Sequence, residues 1–123
     1  MAGVGLSAAS LAGRSGRGVT IAVVDSGIHA AHPHVERVAG GVSIDDEGRT
    51  GGDLTDRLGH GTAVAGAIHE KAPDAALLAV KVFDTSLRTS GRALVEAIRW
   101  AAAARVAIIN LSLGTSNRDH EAA

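Results

Sequence analysis

The 123-residue chain is long enough for one domain with a real core and too short for two of ordinary size. Its 46% apolar and 20% charged residues exclude a disordered chain. Twelve basic against thirteen acidic residues, a net charge of -1, with no basic stretch and no interleaved aromatics, exclude a nucleic-acid or anionic-membrane surface.

Cysteine is absent, so no disulfide framework holds the fold, which suits a reducing compartment and does not exclude an oxidising one. The opening "MAGVGLSAASLAGRSGRG" lacks the basic n-region and continuous apolar run of a secretory signal, and no later segment approaches membrane-spanning length. The expected location is cytoplasmic, with neither membrane nor nucleic acid as a partner.

Leu6 to Ala12 can form a short helix, stopped by the glycines and arginines of "GRSGRG". That glycine-rich stretch precedes its strand, whereas a dinucleotide fingerprint must follow one. Val19 to Asp25, "VTIAVVD", is a β-branched run with only Thr20 polar before its terminal acid, the pattern of a central parallel strand covered on both faces. Val38 to Ile44 is a weaker strand interrupted by Gly40 and Gly41, and "DDEGRTGGD" after it is a polar surface loop.

His60 to Glu70 reads as a helix whose first turn carries the histidine and whose alanines and valines are buried. Leu77 to Phe83 is another buried strand, followed by the loop "DTSLRTSG". Ser90 caps a helix from Gly91 to about Arg105, with Leu94, Ile98, Ala101 and Ala102 on one face. Val106 to Leu113 closes the series as a strand. Phe83 and Trp100 are the only aromatics, so packing depends on small and branched aliphatic residues.

Strands alternating with helices predict an α/β fold: an open, mostly parallel sheet with helices on both faces, whose sites gather at the carboxyl ends of the strands. Asp25 stands at such an end. His60, between Gly59 and Gly61, has backbone freedom and close access for another chain, while Thr62 and the following helix can anchor it. An oriented imidazole needs an acceptor for its Nδ1 hydrogen so that Nε2 is free to take a proton, and Asp25 is of the right type. Taken singly, each residue also fits an ordinary turn acid or helix-end polar group.

"VTIAVVDSGI", "GHGTAVAGAI", "APDAALLAVKVFD" and "AIRWAAAARVAIINLSLG" occur in the order of, and closely resemble, the first half of a subtilisin-like serine peptidase domain. The resemblance spans Leu6 to Gly114. It implies a three-layer subtilisin-like fold, incomplete at its C-terminal side, with residues 1–123 as a single partial domain. It also implies proteolysis of peptide or protein substrates, with Asp25 as orienting acid and His60 as general base. Leu111, Ser112, Leu113 and Gly114 match the family segment that pairs with an extended substrate and walls the specificity pocket.

The sequence departs from the family in its last part. The family nucleophile is a serine in a Gly-Thr-Ser-x-Ala setting at the start of a later helix, and the oxyanion asparagine is later too. Only nine residues follow Gly114. Ser116 lies in "GTSNRDHEAA", a polar tail without the small-residue helix, so it is not expected to be the nucleophile, nor Asn110 or Asn117 the oxyanion donor. The expected behaviour is an inactive segment that works when a complementing chain or further polypeptide supplies the serine, with self-association through its last strand when unpaired. The rival from another class is a noncatalytic peptide-binding module that has kept the pairing strand. A receiver-like signalling domain, suggested by Asp25, Asp84 and Lys81 near strand ends, is disfavoured because serine follows Asp25.

No cofactor and no metal are expected. The family's calcium site uses an acid just after the "HP" of the first motif, where this chain has His34, and "HEKAPDAA" leaves little room for the accompanying loop. Asp25, His29, His32, His34 and His60 are of zinc-ligand type, yet "HAAHPH" has no strong ligand spacing and reads as surface histidines in a turn.

Overall fold

The computed structural model describes residues 15–112. The helix expected over 6–12 and the tail 114–123 therefore lie outside the described residues. In chain order the elements are β1 (Thr20–Asp25), β2 (Val38–Ile44), β3 (Thr50–Gly51), α1 (His60–Lys71), β4 (Ala76–Lys81), α2 (Gly91–Ala103) and β5 (Ile108–Leu111). The sheet has the order β3-β2-β4-β1-β5. β1 pairs in parallel with β4 and β5, β2 pairs in parallel with β4, and only β3 runs antiparallel, against β2.

The apolar run of β1 is continuous because both faces of this strand are covered. Ile21 and Val23 point into one core with Leu77 and Ala79 of β4, Ala65 of α1, and Ile28 and Val35 of the connection after β1. Ala22 and Val24 point into the other, with Val80, with Val42 and Ile44 of β2, and with Ala93, Ala97 and Ala101 of α2. Each fully buried valine or leucine in these layers contributes about 1.5–3 kcal/mol of apolar transfer. The result is three layers, α1 on one face and α2 on the other.

Several boundaries differ from the sequence reading, each for a local reason. β4 ends at Lys81 rather than Phe83, because the N–H groups of Val82 and Phe83 both turn back to the Asp25 carbonyl, at 2.9 and 3.2 Å. β5 is shorter than Val106–Leu113. Arg105 adopts a left-handed φ of 59°, and the Val106 N–H reaches back to the Ala101 carbonyl, so α2 unwinds before the strand begins. The glycine-rich loop after β2 contains the two-residue strand β3, formed as Ser43 and Ile44 pair with Gly51 and Thr50.

The helices also bury other faces than expected. In α2 the residues against the sheet are Ala93, Ala97 and Ala101, a stripe at four-residue spacing whose small side chains allow close approach, while Ile98 stays 44% exposed and Ala102 is also exposed. In α1 only Gly61, Thr62 and Ala65 are buried, so it lies on the surface with one narrow face inward. Ser90 does cap α2: its Oγ accepts the Ala93 N–H at 3.0 Å and donates to the Asp46 carbonyl at 2.7 Å. Among the described residues, no helix is long and apolar enough to cross a membrane.

Candidate active site

The carboxyl ends of the central strands converge on Asp25. Its register partner in β4 is Lys81, and Leu111 of β5 lies beside Val24, one residue earlier. Ser112 continues that strand's path, donating its N–H to the Val24 carbonyl at 3.3 Å. Of the proposed peptide-pairing segment, Leu111 and Ser112 thus flank the end of β1, whereas Leu113 and Gly114 lie outside the described residues, as do Ser116 and Asn117.

Thirty-five positions on from Asp25, His60 opens α1 directly over it. His60 Nδ1 stands 2.8 Å from Asp25 Oδ1 and 2.9 Å from Oδ2. Asp25 is completely buried while the His60 side chain is 44% exposed. A carboxylate accepts only, so in the neutral imidazole the hydrogen belongs on Nδ1 and the lone pair on Nε2, at the exposed side. The buried carboxylate is further compensated by the Ser26 N–H, which donates to Oδ1 at 2.7 Å.

The chain reaches this arrangement through a close approach of two backbones. After β1, Gly27 turns at a φ of +106°, and Gly61 lies against its carbonyl oxygen. A Cβ at Gly61 would overlap the Gly27 carbonyl, and one at Gly27 would overlap the Leu54 carbonyl. Gly61 lets the start of α1 descend onto the end of β1, bringing His60 within reach of Asp25, and Gly27 lets the loop at Leu54 close over the turn after β1.

Asp56, which the sequence analysis does not single out, organises the start of α1. The residue before the helix is Gly59, which is left-handed at φ +82° and has no side chain to cap it. Asp56 supplies the cap instead. Its Oδ1 accepts the N–H groups of Gly59 at 2.8 Å and Leu58 at 3.1 Å, and its Oδ2 accepts the Thr62 N–H at 2.9 Å and the Thr62 hydroxyl at 2.5 Å. The Ser26 hydroxyl also donates to Asp56 Oδ1, at 2.7 Å, and in turn accepts the Gly61 N–H at 2.9 Å. Thr62 anchors the helix start as expected from its place beside His60, and its Oγ1 also accepts the His29 N–H at 2.9 Å. In "DRLGHGT" Asp56 stands three residues before the N-cap position held by Gly59, so the ordinary rule of a capping side chain at that position does not pick it out.

Burial raises the Asp56 carboxyl pKa, but the hydrogen bonds from Thr62, Ser26 and Gly59 outweigh it and hold the group below its ordinary 3.8. A depressed folded pKa adds stability that is whole above the unfolded value and is lost as pH falls through the folded one. Asp56→Asn is therefore expected to lower the melting temperature at about pH 7, and the gap from the unaltered chain should narrow towards about pH 3. Parallel thermal melts across that range check this, and a gap of constant size would contradict it.

Further along the same rim, Lys81 is almost fully buried; its Nζ donates to the Thr55 carbonyl and pairs with Asp84 at 3.1 Å. Arg57 joins Asp84 at 2.9 Å to Asp53 at 3.2 Å. The hydrogen bond from Lys81 holds the Asp84 carboxyl below its usual range. Lys81 and Asp84, singled out in the receiver-like alternative, thus pair with each other and tie the loop ahead of α1 to the end of β4. His29, His32 and His34 form a chain of neighbouring rings with centroids 6.3 and 5.3 Å apart. Among the described residues, no group of three histidine, aspartate or glutamate side chains converges on a point that a metal ion could occupy.

The subtilase family model matches residues 16–123. The minor extracellular protease Epr of Bacillus subtilis (strain 168) is 38% identical over 116 residues, covering 86% of this chain and 17% of that protein. The thermostable alkaline protease of Halalkalibacterium halodurans is 39% identical over 111 residues, covering 83% of this chain and 29% of that protein. A crystal structure of a cold adapted subtilisin-like serine proteinase superposes with a TM-score of 0.61 at 28% identity, over 74% of this chain and 34% of that one. The chain thus spans less than a third of the length of either curated relative named here. Its sequence from residue 16 onward and its mostly parallel five-stranded sheet place it with these proteins: the chain belongs to the subtilase family.

Proposed function

We propose that this chain contributes the acid and the base of a serine endopeptidase site that hydrolyses peptide bonds in peptide or protein substrates. The observation that carries the reading is the buried Asp25 carboxylate lying on His60 Nδ1 at 2.8 and 2.9 Å. That contact leaves the Nε2 lone pair to take a proton from a nucleophilic hydroxyl and return it to the leaving amine, while Asp25 stabilises the imidazolium formed between the two steps. Membership of the subtilases supports the serine-peptidase class. By resemblance to the family, Leu111, Ser112, Leu113 and Gly114 form the segment that pairs with an extended substrate, and the position of Leu111 and Ser112 at the end of β1 supports this for the first two.

The nucleophilic serine comes from a complementing segment, either further polypeptide or a second chain, and residues 1–123 form a single partial domain. β5 is the outer strand among the described residues, paired on one side only, which supports completion of the sheet there or self-association in its absence. The proposed location is cytoplasmic; the cysteine-free composition is compatible with a reducing compartment without excluding an oxidising one, and detection of the chain in the culture medium would overturn the proposal.

The purified chain is expected to leave unstructured casein intact; in subtilisin, loss of the nucleophile lowers turnover about a millionfold. Mixed with a polypeptide bearing a subtilase serine region, it is expected to cleave casein, and a serine-directed fluorophosphonate should stop the reaction. Robust fluorophosphonate-sensitive cleavage by the chain alone would refute the missing nucleophile. Peptide binding without cleavage in the mixture, indifferent to His60→Ala, would favour the binding module instead.

A further inference from the structure

Asp56 touches neither Asp25 nor His60, yet the neighbours of both hang on it. Ser26, next to Asp25, donates its hydroxyl to Asp56 while giving its N–H to the Asp25 carboxylate. Gly59, next to His60 on one side, donates its N–H to Asp56 directly, and Gly61 on the other side reaches it through the Ser26 hydroxyl. Thr62 adds two further bonds. With the Leu58 N–H of the preceding loop, one carboxylate accepts five hydrogen bonds, four of them from the end of β1 and the start of α1, each charge-assisted.

We infer that Asp56 is a positioning residue of the site: it clamps the first turn of α1 to the residue after Asp25 and so holds the His60 imidazole in contact with the Asp25 carboxylate. The inference rests on the reading of Asp25 and His60 as acid and base. The helix needs such an external clamp, because Gly59 brings no capping side chain and the first turn contains no acidic residue. An ordinary helix cap would steady α1 along its length. A clamp bearing on the turn that meets Ser26 acts on His60 and leaves the far end, where His69 Nδ1 accepts the Glu36 N–H at 3.0 Å, as it was.

The test is exchange of the imidazole Cε1–H for deuterium in the 123-residue chain, read for each histidine by mass spectrometry at one fixed neutral pH, a measurement that works whatever the state of association. Asp25→Asn sets the scale, as the loss of the contact itself. Asp56→Asn is expected to move the His60 rate in the same direction, by roughly twofold or more given the number of charge-assisted bonds weakened, with His69 and His32 unchanged. Ser26→Ala, which removes a single bridging hydroxyl, should give a smaller change of the same sign.

A His60 rate in Asp56→Asn equal to that of the unaltered chain would overturn the inference. So would a general rise at His29, His32 and His69 in both Asp56→Asn and Ser26→Ala, which would mean a role in the whole fold. Failure of the underlying acid–base reading looks different: Asp25→Asn would then leave His60 unmoved.

Discussion

His60→Ala is expected to lower turnover by about a millionfold in any assembly of this chain that cleaves peptide bonds, and Asp25→Asn by about ten thousandfold, the scale known for serine peptidases of this kind. The two effects differ because the side chains do different work. Without His60 no group takes the proton as the new bond forms. Without the Asp25 carboxylate the imidazole remains, but an amide at position 25 can accept as well as donate, so the hydrogen is no longer directed to Nδ1 and the imidazolium loses its counter-charge. That counter-charge is fully buried, where water screens it least. Initial rates of the assembled enzyme, with melting curves as a check on folding, measure both losses; a drop of less than about a hundredfold for His60→Ala would remove it from the role of base.

The second large effect concerns backbone. Gly61→Ala is expected to destabilise the chain by about 3 kcal/mol, because its Cβ would occupy the space of the Gly27 carbonyl oxygen and neither backbone has room to yield. For a domain of this size that corresponds to a fall in melting temperature of more than about 10 °C. Gly91→Ala is the control. It opens α2 with nothing within 4 Å of its Cβ position, so alanine there should leave stability unchanged or slightly raised. Equal melts for the two variants would mean that the approach of α1 to β1 is looser than described.

Much of this arrangement was legible in the order of residues. β1 was evident because a β-branched run covered on both faces leaves no alternation to confuse it, and the placing of Asp25 at its end followed directly. His60 was legible through its two glycines, and their physical meaning is now specific: Gly61 is the point of backbone contact, whereas Gly59 provides the left-handed turn before the helix.

What the sequence concealed depended on residues meeting from distant stretches. Asp56 sits in a polar loop, and only the fold supplies the Ser26 hydroxyl that makes it a clamp. The inward face of α2 is turned from the one that the spacing of Leu94, Ile98, Ala101 and Ala102 suggests: Ala101 is buried and Leu94 packs at the edge of the core, but Ala93 and Ala97 take the places nearest the sheet. Alanines at 93, 97 and 101 give a closer approach to the sheet than Ile98 would permit. β3 has two residues and exists only through its pairing with β2, so no local pattern announces it.

The account turns on the hydrogen bond between His60 Nδ1 and Asp25, and low-field proton NMR of the chain reads it most directly. A far-downfield Nδ1–H resonance that disappears in both Asp25→Ala and His60→Ala is the expected result. A spectrum without such a signal under slow-exchange conditions, or a signal that survives Asp25→Ala, would contradict it.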